Sequence, residues 1–174
     1  MSETDMPAPA AVLGAHRAFA TELAKAEQEE AVFAALYQLS TELVPVKLWT
    51  VMTVDMEAGL ARRAFSNMPD AYPASGTKPI VHNDWFELVH GRHETFVANT
   101  LEAIANVFAD FELIGSLGCA SVVNLPVISG GELIATVNLL DVEGHFTAPR
   151  VTAIEDALAL PALTTMLAAR LIAR

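Results

Sequence analysis

At 174 residues, with ten basic residues against twenty-one acidic and a formal net charge of −11, the chain suits one domain whose surface repels phosphate backbones and argues against nucleic-acid binding. Its single cysteine, Cys119, excludes an internal disulfide and a cysteine-built metal cluster. The mean hydropathy of +0.39 is high, yet apolar residues are spread over short periodic segments, which assigns them to a core plus a buried subunit interface.

Residues 1–9 are acidic and proline-rich and read as a disordered N-terminus. They lack the basic-then-apolar order of a secretory signal, so the expected location is cytoplasmic. From residue 10 to 43 the pattern is helical. Phe19, Leu23 and Ala26 form one stripe and Val32, Leu36, Leu39 and Leu43 continue it, with a break near 27–30 that leaves one helix or two open. Val46–Val54 is dense in β-formers, Asp55–Gly59 makes a turn, and Leu60–Met68 reads as the returning strand. Pro69–Pro79, with three prolines and a glycine, is expected to be loop.

Asp84–Gly91 reads as a short helix with Asn83 or Asp84 as its N-cap. Phe96–Ala98 is a short strand, Asn99 and Thr100 cap a further short helix, and Val107–Ser116 is helix or loop. Cys119–Leu140 forms a second hairpin about Gly130 and Gly131. Thr147 and Pro149 open a closing helix with a stripe of Val151, Ile154, Leu158, Leu163, Met166 and Leu171, in which Pro161 should cause a kink or a split. Its most lipophilic window, Ala157–Ala169, falls short of the ~20 residues a bilayer span needs, so no membrane helix is expected. The order predicts an α+β fold in one domain, residues 10–174: an N-terminal helix 10–43, a core 45–146 and a C-terminal helix 147–173. One antiparallel sheet would carry the terminal helices on one face and the short helices and loops on the other.

The second hairpin sets Ser121, Asn124 and Asn138 among apolar neighbours. A buried amide without partners costs about 1–3 kcal/mol, so each must pair with a strand neighbour or a bound molecule. A two-residue turn would set Asn124 opposite Val137 and Asn138 opposite Val123, sending the amides to opposite faces; a longer turn reverses this, and the facing stays open.

Ser121–Leu140, with its serine, alternating apolar residues, Pro126, glycine turn and final apolar strand, followed by Phe146 and Thr147, resembles a GAF domain. The first hairpin is similar too, through Leu48–Asp55, Gly59, Leu60 and a strand ending at Phe65. The resemblance covers residues 32–168. The loop with Tyr72, Pro73, Gly76 and Lys78 further resembles bacterial proteins that consist of a lone GAF domain. It implies a five- or six-stranded antiparallel sheet, a small-molecule pocket between the sheet and the middle loops, and homodimers through the terminal helices.

By that resemblance Phe65, Tyr72, Trp85, Phe96, Asn99 and Ser121 are the expected ligand-binding residues, with core packing the competing reading for the aromatics. Arg62, Arg63, Lys78 and Arg92 are the cations available to an anionic ligand near the lid. His82, His90, His93 and His145 show no ligand spacing and read as solvated; no catalytic residue, metal or known cofactor is expected. The expected function is a non-catalytic, small-molecule-binding sensory module signalling to a separate effector protein. Two alternatives stand beside it: an enzyme related to free methionine sulfoxide reductase, whose cycle a lone cysteine does not complete, and a structural dimerisation subunit with a self-filled pocket.

Overall fold

The computed structural model of the chain describes residues 7–74 and 76–173. The N-terminal stretch expected to be disordered lies outside the described residues as far as residue 6. The described residues form two compact units, one of residues up to 45 together with those from 148 on, the other within 46–147.

The first unit holds three helices, α1 (Pro9–Lys25), α2 (Glu29–Leu43) and, after the second unit, the 25-residue helix we label α6 (Ala148–Ile172). Ala26 and Gln28 take extended conformations between α1 and α2, so the break near residue 27 separates two helices. Val32, Leu36, Leu39 and Leu43 are buried on α2 at steps of three and four, the stripe that lets a helix hide one face.

Pro161 lies inside α6, which runs on without splitting. A proline nitrogen carries no proton, so the Ala157 carbonyl one turn earlier loses its usual intrahelical donor. His16 of α1 reaches that carbonyl, its Nε2 3.2 Å from the Ala157 oxygen and its Nδ1 2.8 Å from the Val12 oxygen, and a ring carrying its proton on Nε2 donates there in place of residue 161. The histidine thus ties α1 to α6 at the site of the helix defect.

On α6 the expected stripe holds for Ile154, Leu158 and Met166, whereas Leu171 is 65% exposed. By length and composition α6 could cross a bilayer, against the expectation of no such helix, because the helix extends beyond the window read from the sequence. Its buried residues nonetheless follow one stripe through Ile154, Leu158, Pro161, Thr165 and Ala169, the pattern of a helix packed on one side.

The second unit is a six-stranded antiparallel sheet in the order β3-β2-β1-β6-β5-β4, as an α+β fold of this type requires. Its strands are β1 (Leu48–Asp55), β2 (Leu60–Ser66), β3 (Thr77–Pro79), β4 (Phe96–Ala98), β5 (Ser121–Ser129) and β6 (Glu132–Asp141). The segment Pro69–Pro79, expected to be all loop, closes with the edge strand β3; its Pro79 is tolerated there because an edge position need not donate. Between β3 and β4 lies α3 (Asp84–Phe86), capped by the Asn83 side chain and running into a π-helical turn, Glu87–Gly91. The helices α4 (Leu101–Ala105) and α5 (Phe111–Ser116) separate β4 from β5, and the Thr100 hydroxyl caps α4.

Two bulges set the facing of the strands. In β6 the register slips between Val127–Ala135 and Ile128–Leu133, leaving Ile134 as the extra residue. In β2 it slips between Val51–Phe65 and Met52–Arg63, leaving Ala64 as the extra residue. Each slip moves every following side chain to the other face relative to a regular ladder.

His16→Ala should destabilise the chain by about 1 kcal/mol, the worth of one net hydrogen bond. In a Pro161→Ala background, where residue 161 regains its N–H, the same change should cost clearly less. Chemical denaturation of the four-member mutant cycle measures this coupling.

Candidate ligand-binding site

The β6 bulge decides the facing left open by the sequence. The turn keeps two residues, Gly130 and Gly131, but beyond the bulge Asn124 lies opposite Asn138, and Asn138 lies opposite Thr50. Three polar side chains on β5, β6 and β1 therefore form one row on one face, each no more than 7% exposed. The row is hydrogen-bonded in a single direction. Trp85 Nε1 of α3 donates to Asn124 Oδ1 at 2.9 Å, Asn124 Nδ2 to Asn138 Oδ1 at 2.7 Å, and Asn138 Nδ2 to Thr50 Oγ1 at 3.1 Å. What remains is capacity of both kinds: the Thr50 hydroxyl proton and one amide proton on each asparagine, and a second lone pair on each accepting oxygen, for which no hydrogen bond stands among the described residues.

The row floors a cavity of about 520 Å³, within the range of small-molecule sites. Met52, Val54 and Leu133 give it apolar walls, and Trp85 and Phe108 close over it with their rings edge to face, centroids 6.2 Å apart.

One end is charged. Arg63 of β2 lies opposite Met52, its guanidinium 3.7 Å from the centre of the Tyr72 ring, and Nη1 donates to the Pro73 carbonyl at 2.9 Å. The Tyr72 hydroxyl donates to the Asp110 carboxylate, whose Oδ2 lies 3.8 Å from Arg63 Nη2. Burial, and then this hydrogen bond, raise the Tyr72 pKa well above that of a free phenol, so the hydroxyl keeps its proton. Lys78 of β3 completes this end of the lining.

Of the expected ligand-binding residues, Tyr72 and Trp85 line the cavity. Phe65 does not. On a regular strand it would share a face with Arg63, but the bulge at Ala64 turns it to the opposite face, where its ring meets Trp49 at 5.7 Å. Ser121 neighbours the lining residue Val122 and so faces away, its hydroxyl donating to the carbonyls of Val142 at 2.7 Å and Asp141 at 3.2 Å. Asn99 is occupied at both ends of its amide by the backbone of Phe146, at 2.9 and 3.1 Å. Phe96 packs edge to face on Phe108 at 6.0 Å, in the apolar cluster beside the cavity, and is outside the lining. Among the expected cations Arg63 and Lys78 line the cavity; Arg62 pairs with Thr53 and takes the other face, and Arg92 lies 3.9 Å from Glu94 on the surface.

The sequence reading missed Asp110 and Phe108, which sit where helix and loop were both open. It singled out Asn124 and Asn138 without their facing. An asparagine pair flanking a glycine turn is a usable signal only once the bulge is known. Cys119 is 1% exposed, belongs to the apolar cluster and is absent from the lining. Burial, then the nearby Asp141 charge, push its thiol up to about 11. His82 and His90 flank the Phe86 ring at 4.4 and 4.6 Å, and among the described residues no three His, Cys, Asp or Glu side chains gather as metal ligands.

Asn138→Leu strips both neighbours of a partner and should cost about 1–3 kcal/mol in chemical denaturation. The Cys119 thiol stays protonated at neutral pH, so a thiol-trapping reagent should label the native chain at least about a hundredfold more slowly than the unfolded one, a ratio read by mass spectrometry of the adduct.

No protein-family profile and no curated protein matches the chain in sequence. Its fold does match solved structures. The GAF domain of a two-component sensor histidine kinase from Bacillus halodurans aligns with a TM-score of 0.65 at 11% identity, over 82% of this chain and 96% of that one. The GAF domain of a phosphoenolpyruvate-protein phosphotransferase from Coxiella burnetii gives 0.64 at 17%, over 92% and 96%. Free methionine-R-sulfoxide reductase from Neisseria meningitidis, solved with its substrate, gives 0.62 at 15%, over 98% and 99%. The fold of this chain is that of a GAF domain.

Proposed function

We propose that the chain is a non-catalytic sensory module of the cytoplasm whose sheet unit binds a small molecule and whose occupancy is read by a separate protein. The observation that carries this reading is the cavity itself. A volume of about 520 Å³ over a buried row with unused donors and acceptors supports a binding site, since a purely structural unit would fill that space with its own side chains. The similarity to domains of a sensor histidine kinase and of a methyl-accepting chemotaxis protein supports a signalling context.

The similarity to the neisserial reductase raises the enzymatic alternative. Cys119 speaks against it, because a buried thiol held mostly protonated and placed outside the cavity lining is a poor nucleophile for a bound sulfoxide. Ligand response falls to the covering segments around Tyr72, Trp85 and Asp110, held to the floor by side-chain contacts and shifted in population by differential affinity.

Two copies pair through α6. Leu160, Thr164, Leu167 and Leu171 recur at the four-three-four steps of a helix-pairing seam, with the three leucines 68%, 42% and 65% exposed.

Native mass spectrometry of freshly purified chain should show a dimer carrying a releasable small molecule. Replacing Met52 by Trp, which fills the cavity, should remove that mass and the matching thermal stabilisation, worth about 2.7 kcal/mol at a hundredfold excess over Kd. A folded chain whose mass never exceeds that of the bare polypeptide, with and without the tryptophan, sinks the binding reading. Leu160→Glu with Leu167→Glu should halve the sedimenting mass while the circular dichroism of the helices persists.

A further inference from the structure

We propose that the molecule held in this cavity is an organic anion, with an apolar body against Met52, Val54 and Phe108 and a carboxylate-type end accepting from Arg63, with Lys78 as the second cation. The inference rests on the small-molecule reading and adds the ligand's charge and orientation.

Arg63 is the reason. Its side chain is 14% exposed, and its Nε–H is buried with no acceptor among the described residues. Two other groups of the guanidinium are engaged, Nη1 with the Pro73 carbonyl at 2.9 Å and Nη2 near Asp110 at 3.8 Å. The second contact exceeds hydrogen-bond length, and the Asp110 carboxylate already accepts from Tyr72. Incomplete pairing of a buried cation is costly, so an oxygen acceptor arriving in the cavity that Arg63 lines, against the part of the guanidinium it can reach, recovers some of that cost.

Lys78 stands opposite Ala61 on the neighbouring strand, and Ala61 lies two residues from Arg63 on the same face, which makes the cations diagonal neighbours. Against them stands one carboxylate, Asp110, so this end of the cavity carries an excess positive charge inside a chain of net −11. The floor is compatible with this, because Thr50, Asn124 and Asn138 keep spare donors for a ligand's oxygens alongside spare lone pairs. A cation would meet repulsion here, and a neutral apolar molecule would bring the partly paired guanidinium no further acceptor. The anion also competes with Asp110 for the guanidinium, which makes Asp110 a brake on binding.

Matched probes separate charge from shape. Phenylacetate and phenylacetamide, then phenylpropanoate and phenylpropanamide, are titrated into the full chain by tryptophan fluorescence, Trp85 being part of the lining. In at least one pair the acid should bind about tenfold tighter than its amide, and Arg63→Gln should reduce that preference to within about threefold. Lys78→Gln should weaken the acid several-fold and leave the amide unchanged; Asp110→Asn should tighten the acid. Amides binding as well as acids overturn the anion inference and leave the small-molecule reading standing, while failure of both members of both pairs overturns the two together. Should Arg63→Gln not fold, the exposed Lys78 and the Asp110 variant decide: an acid affinity unmoved by Lys78→Gln and not raised by Asp110→Asn overturns the proposal.

Discussion

The pairing of Asn124 with Asn138 is the constraint on which the site depends, and a single inserted residue makes it. Without the bulge at Ile134 the ladder would place these amides on opposite faces. One would then stand among Trp49, Val51 and Val123, all fully buried, the two valines offering an amide no side-chain partner. With the bulge, Asn124 donates to Asn138 across β5 and β6, Thr50 extends the row, and Trp85 is pinned above it. The tryptophan ties the covering segment to the floor through its indole N–H. Register, cavity floor and lid position therefore follow from one local irregularity.

The second bulge plays the same part for charge. Ala64 absorbs one residue in β2, so Arg63 joins Met52 on the cavity face while Phe65 joins Trp49 on the other. A buried arginine needs compensation, and the chain provides it incompletely: an aromatic face from Tyr72, a carbonyl from Pro73, and a carboxylate held at a distance by its own bond to Tyr72. Full pairing would make the guanidinium a structural element and nothing else. Partial pairing leaves it able to exchange partners. The surrounding charge of −11 also means that affinity for any anion must come from these short-range groups, since the long-range field opposes its approach.

The gross fold was legible because periodicity reports it. Stripes at three and four residues marked α2, the β-former runs marked β1 and β5, and Asn83 and Thr100 announced caps that the structure keeps. The bulges were not legible. Nothing about Ala64 or Ile134 as residue types distinguishes them from regular strand residues, and a bulge is a property of two strands that a single strand's text does not contain. Tyr72 and Trp85 were found because aromatic residues in covering segments need something to cover. Phe65, Ser121 and Asn99 were misplaced for a shared reason: each was assigned by position along the strand order, while facing and backbone capture decide where a side chain goes.

Pro161 carries the same lesson in the helical unit. Read alone, it should break α6, since it removes a donor inside the helix. The structure keeps the helix by recruiting His16 from α1, far away in sequence, to the Ala157 carbonyl that the proline leaves behind. A defect legible in the sequence is thus compensated by a partner that is not, and the compensation converts a weakness of one helix into a specific link between two. In the sheet unit the asparagines arrive at a similar solution by another route, one hydrogen bond joining Asn124 to Asn138 across two strands. In both units the polar exceptions to an apolar pattern fix which surfaces meet, because apolar contacts alone are too undirected to choose one register among several.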